Sequence, residues 1–134
     1  MDPTLRSVLG VAMRWAHVTS VIVLVGSAYY VRRTRSAFDP AFRATVYLAI
    51  VVAFLSGLYN FMTKASYPPG YHMWFGIKFL LALHVFAALW MAVKRQASAK
   101  LEQSLRITLI SATLIILISN YLRWISLSPV VKLP

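Results

Sequence analysis

Four long apolar runs, parted by three short polar stretches, account for nearly the whole chain. The runs cover roughly residues 8–31, 44–62, 71–93 and 107–127. About 20 apolar residues suffice for a helix to cross a bilayer, so each run predicts one membrane-spanning helix. Between the first two lies a basic stretch, Arg32 to Arg43, in which Pro40 suits the first turn of a helix. The turn Tyr67-Pro-Pro-Gly-Tyr71 breaks the second run from the third. A polar link from Lys94 to Arg106 precedes the fourth. The expected fold is all-α: an integral membrane four-helix bundle in which residues 1–134 form a single domain.

The third run, Tyr71 to Val93, is the one on which the chemistry centres. It carries His72, His84 and Lys78. Ionisable groups inside a span are costly, by about 2.5 kcal/mol or more on insertion scales, so each marks a candidate site. The first run adds Arg14 and His17, and the fourth closes on Arg123.

Composition agrees with this picture. Hydrophobic residues make up 60% of the chain and charged residues 13%, typical of a helical membrane protein. The net charge of +11 comes from basic residues beside the apolar runs, a topology signal, and no nucleic-acid partner is expected. Without cysteine, disulfides, thiolate metal sites and covalent haem attachment are excluded. The first run lacks a small-residue cleavage site and ends on Arg32, Arg33 and Arg35, so it is expected to be a retained helix, not a signal peptide.

Orientation is expected from the short loops. Arg32, Arg33, Arg35, Arg43, Lys94, Arg95, Lys100 and Arg106 flank one side, whereas Arg6, Arg14, Lys64, Arg123 and Lys132 flank the other. The denser side is expected in the cytoplasm, which leaves both termini outside, the periplasmic side of a bacterial inner membrane. Trp15, Trp74 and Trp124 then mark the outer interface. At about 1.5 Å of rise per residue, His17 and His72 lie within about 3 Å of their tryptophans, Lys78 about 6 Å deep and His84 about 15 Å deep.

Histidines on separate membrane helices suit haem, because neutral imidazole binds iron and a bundle can offer one ligand from each side. The face Gly10, Met13, His17, Ser20, Leu24 and Ala28 supplies small residues for close packing. Arg14, Lys64, Lys78 and Arg123 are available for anionic propionates. The expected axial pair is His17 with His72, and His17 with His84 comes second. Three of these groups also have a plainer reading: interhelical hydrogen bonding for His84, an interfacial anchor for His72, and for Lys78 an outward-reaching side chain. Ser56, Tyr59, Asn60, Ser119, Asn120 and Arg123 read as polar contacts between helices. The carboxylates Asp2, Asp39 and Glu102 all fall in tails or loops, which argues against hydrolytic chemistry.

The segments Arg14-Trp-Ala-His17-Val and Tyr71-His-Met-Trp-Phe-Gly-Ile-Lys78-Phe-Leu-Leu-Ala-Leu83 resemble the first and third helices of small membrane proteins related to the copper-resistance D family. Similar helices occur in HemJ-type protoporphyrinogen oxidases and in the membrane part of PuuD-type urate oxidases. The resemblance implies a b-type haem or a copper site, with His17, His72 and Lys78 at matching positions. The third-helix histidine sits differently from the HemJ pattern relative to the lysine, and these residues include no cytochrome c domain, so neither enzymatic activity is carried over.

Three functions follow as expectations. The first is a haem b protein that transfers electrons as a subunit of a respiratory or photosynthetic membrane complex, with a quinone or a periplasmic electron carrier as a possible partner. The second is copper handling, with Met13 and His17, and Met73 beside His72, as ligands; soft thioethers suit Cu(I), but the five methionines form no Met-x-x-Met array. The third is a cofactor-free structural subunit whose histidines only pack.

Overall fold

A computed structural model describes residues 2–64 and 67–127. Lys132, counted above among the outer cations, lies outside the described residues. The described chain forms four helices: α1 (Pro3–Thr34), α2 (Pro40–Met62), α3 (Tyr71–Ala92) and α4 (Ala99–Leu127). All four are long and apolar enough to cross a membrane.

Three of the helices outrun the apolar runs that predict them. Hydropathy ends where the bilayer would end, but a helix continues until something caps it. The Asp2 carboxylate accepts from Thr4 N at 3.0 Å with Pro3 next to it, so α1 starts about a turn before its apolar run. Asp39 accepts from Ala41 N at 2.9 Å and Pro40 opens α2. Ser98 Oγ accepts from Leu101 N at 3.2 Å, which puts Lys100, Glu102 and Arg106, read above as a link, on the first turns of α4.

α1 stops in a Schellman motif. Ser36 N donates to Val31 O and Arg35 N to Arg32 O, each at 3.3 Å. The left-handed residue in it is Arg35 (φ 52), a place where glycine is the usual occupant. Gly70 (φ 79) makes the corresponding reversal into α3, and Tyr71 N closes that turn on Pro68 O at 3.1 Å.

α1 packs against α2 and α4, and α3 packs against α4. α2 and α3 meet mainly through rings. Phe61 stacks on Phe75 with centroids 3.9 Å apart, Phe54 faces Phe79 and Phe86, and Tyr47 meets Trp90 at 4.3 Å. This seam runs the length of both helices.

The two halves of the bundle differ. Leu24, Ala28, Val31, Phe38, Val46, Ala53, Val85, Leu89, Val93, Leu101 and Leu105 build one buried cluster, located towards the α1–α2 and α3–α4 links. The half holding the start of α1 and the end of α4 buries far less, and a polar cavity opens there. Many other large apolar side chains, such as Ile22, Leu48, Leu80 and Leu117, are exposed, as lipid-facing residues are. Trp15 and Trp124 are also exposed at the open end, and Trp74 meets Tyr121 in an edge contact at 5.4 Å.

Candidate functional site

The open end holds a cavity of about 550 Å³ to which all four helices contribute. Gly10, Arg14 and His17 come from α1, Asn60 from α2, Tyr71 and Lys78 from α3, and Ser119, Arg123 and Ser126 from α4, with Lys64 just beyond α2. This volume lies in the range of about 300–1,000 Å³ common for cofactor and ligand pockets. Four cations line it and no carboxylate does. A smaller void of about 50 Å³ shares His17 and Lys78 with it and is otherwise walled by Phe54, Gly57, Leu58, Phe75 and Phe79.

His17 is fixed at this junction by α2. Its Nδ1 lies 2.9 Å from Ala53 O and 3.2 Å from Ser56 Oγ. A carbonyl oxygen only accepts, so Nδ1 carries the proton. Ser56 donates its own hydroxyl hydrogen to Val52 O, which leaves its oxygen free to accept from the imidazole. In the neutral ring the lone pair then sits on Nε2, which forms no hydrogen bond among the described residues. A metal-binding histidine is commonly oriented this way, with its other ring N–H donated to a backbone carbonyl.

The close approach of α1 and α2 at this level needs Gly57. A Cβ there would stand 3.0 Å from His17 Cε1 and 3.3 Å from Nδ1. Any side chain would press the ring away from Ala53.

The other expected site residues separate into two groups. Arg14, Lys78 and Arg123 share the cavity with His17, as does Lys64, whose Nζ lies over the Tyr71 ring at 5.1 Å. His72 and His84 do not line it. His72 is exposed at the start of α3, with its ring 4.8 Å from Tyr67 and 6.3 Å from Phe61. His84 is exposed on α3 and borders a different cavity, of about 220 Å³, with Ala88, Arg95, Lys100, Gln103, Ser104 and Ile107. Thus His17 shares no cavity with either expected partner, and Lys78 is the other nitrogen base deep in the span that does. Met13 is half-buried and Met73 exposed. Among the described residues no three His, Cys, Asp or Glu side chains gather as a metal-binding group.

Some contributors had no sequence signal as site residues. Asn60 and Ser119, expected as packing contacts, line the cavity. The Ala53 carbonyl is a backbone atom, and Gly57 matters for what it lacks. A serine and glycine pair one helical turn beyond Ala53 is the trace they leave. Comparison with protein-family models, curated proteins and solved structures found no match to this chain.

Proposed function

We propose that this is a membrane-embedded b-type haem protein that serves electron transfer, as a subunit of a larger membrane complex. The observation that carries the reading is one side chain: His17, with Nδ1–H committed to Ala53 O and Nε2 left with its lone pair, on a cavity lined by four cations and no carboxylate. Haem asks for these two things together, a neutral imidazole nitrogen for iron and cationic groups for its propionates. The aromatic residues beside His17, Phe75 and Phe79, would suit the flat apolar face of a macrocycle.

The bound iron would supply reversible one-electron chemistry. The chain's own residues would do the rest. Ala53 and Ser56 hold the imidazole in one tautomer and raise its basicity. Arg14, Lys64 and Arg123 attract carboxylates at the open end, which we assign to the periplasmic side because the denser basic loops cap the other end. Lys78, which lines both cavities with His17, would add a further cation from α3 for an anionic group.

The test is a dithionite-reduced minus oxidised absorption spectrum, with metal analysis, on protein purified from its native membrane. A sharp α band lost in His17→Ala but kept in His72→Ala and His84→Ala is the expected result. A flat spectrum with stoichiometric copper would move the protein to the copper-handling class. Neither metal in native material would end the cofactor reading and leave a structural subunit.

A further inference from the structure

The opposite end of the bundle carries a second cationic site that the cavity around His17 does not explain. Two cavities, of about 290 and 390 Å³, lie between the end of α1 and the start of α4 and share Arg32, Arg35 and Glu102. Arg33 joins the second. Three arginines therefore face one glutamate, and none of them forms an ion pair among the described residues. Arg32 Nε is buried without a hydrogen-bond partner. A buried guanidinium donor left unpaired is costly, so an acceptor from outside the chain is called for.

Backbone strain gives an independent sign. Arg35 holds the left-handed C′ position of α1, where a side chain is disfavoured and glycine is preferred. That conformation sets Arg35 on both cavities. A non-glycine residue kept in a disfavoured backbone state is a pointer to function at that position.

Depth decides what the acceptor is. Tyr29 and Tyr30, one turn before Arg32 and Arg33, are 58% and 66% exposed, as aromatic residues at a membrane–water interface are. Tyr29 also lines the larger cavity, and Val31, Leu101 and Leu105 line the smaller one. The arginines thus sit at headgroup level with apolar surface directly beneath them. We propose that this end of the α1–α4 groove binds the phosphate headgroup of an anionic phospholipid, held by Arg32 and Arg35. Basic pockets between transmembrane helices at this level suit such headgroups, and bidentate arginine suits phosphate.

The experiment follows the thermal-unfolding midpoint of the full delipidated chain in detergent. It is titrated with phosphatidylglycerol, phosphatidylcholine or inorganic phosphate. Phosphatidylglycerol is expected to raise the midpoint by about 5 °C, and the other two to leave it in place. Arg35→Gly relieves the left-handed strain, so its midpoint without lipid should match or exceed the parent, yet most of the lipid shift should vanish. Arg32→Gln should lose the shift as well, whereas Lys94→Gln combined with Arg106→Gln, at the same end but off these cavities, should retain it. Equal stabilisation by inorganic phosphate would assign the site to a free anion and overturn the lipid assignment. So would a shift that survives in Arg35→Gly and Arg32→Gln, one lost equally in the Lys94 and Arg106 variant, or no response to phosphatidylglycerol.

Discussion

His17 owes its orientation to atoms that belong to α2. Nδ1 is held at 2.9 Å by Ala53 O, and the ring lies against the bare Cα of Gly57. Adding one methyl group tests this contact. In Gly57→Ala the new Cβ would meet the ring at 3.0 Å, so the imidazole must retreat by a few tenths of an ångström and lengthen its bond to Ala53. The expected outcome is a mixed tautomer population, read from the imidazole nitrogen shifts in NMR, together with weaker cofactor retention and an intact helical CD spectrum. An unchanged Nδ1–H tautomer would show that Gly57 merely fills space. The sequence singled out His17 from its polar neighbours, and the contact that holds its ring, to a backbone carbonyl of another helix, was not in that signal. It ranked His72 and His84 by depth alone. Depth follows from residue count, but direction around a helix axis does not when nearly every face is apolar, since there is no polar stripe to mark the inside. His72 and His84 share α3 with Lys78, yet only Lys78 shares the cavity with His17.

At the scale of the helices, existence and order were legible and lengths were not. Hydropathy reports the part of a helix that fits the bilayer, whereas hydrogen bonds at the ends decide where it starts. Asp39 illustrates this, because its carboxylate serves Ala41 N and α2 opens at Pro40, four residues before the apolar run begins. Asp39→Ala should lower stability by about 1 kcal/mol, and Asp39→Asn should recover most of it, measured by reversible unfolding in detergent. The aromatic seam between α2 and α3 was equally hidden, since rings in a membrane span are as often turned to lipid. Phe61 anchors one end of it, with its ring near Tyr67, Tyr71, His72 and Phe75. Phe61→Leu keeps the apolar character and removes the stacking, so it should cost about 1 kcal/mol. A double-mutant cycle with Phe75→Leu should recover a coupling of similar size. Additive losses would mean that the two rings only occupy space.

For the whole molecule, the division into a packed apolar end and an open cationic end sets stability against binding. Arg14, Lys64, Lys78 and Arg123 surround one cavity of about 550 Å³ with no carboxylate among them. Like charges gathered around one cavity repel one another, modestly where they are exposed as Arg14 and Arg123 are. A bound anionic group, as proposed above for haem, would offset that repulsion. Arg123→Gln or Arg14→Gln should raise the unfolding midpoint of the cofactor-free protein and weaken its affinity for haem about fivefold each. High salt should shrink both effects for these exposed groups. The opposite signs separate this account from a structural role, in which neutralisation would lower both quantities together. Haem whose propionates are esterified supplies the sharper control, because it keeps the iron and the macrocycle and removes the negative charge. Its affinity should be indifferent to Arg123→Gln and still depend on His17. If esterified haem were as sensitive as haem itself, the cations would act on the fold of the cavity and not on the carboxylates within it.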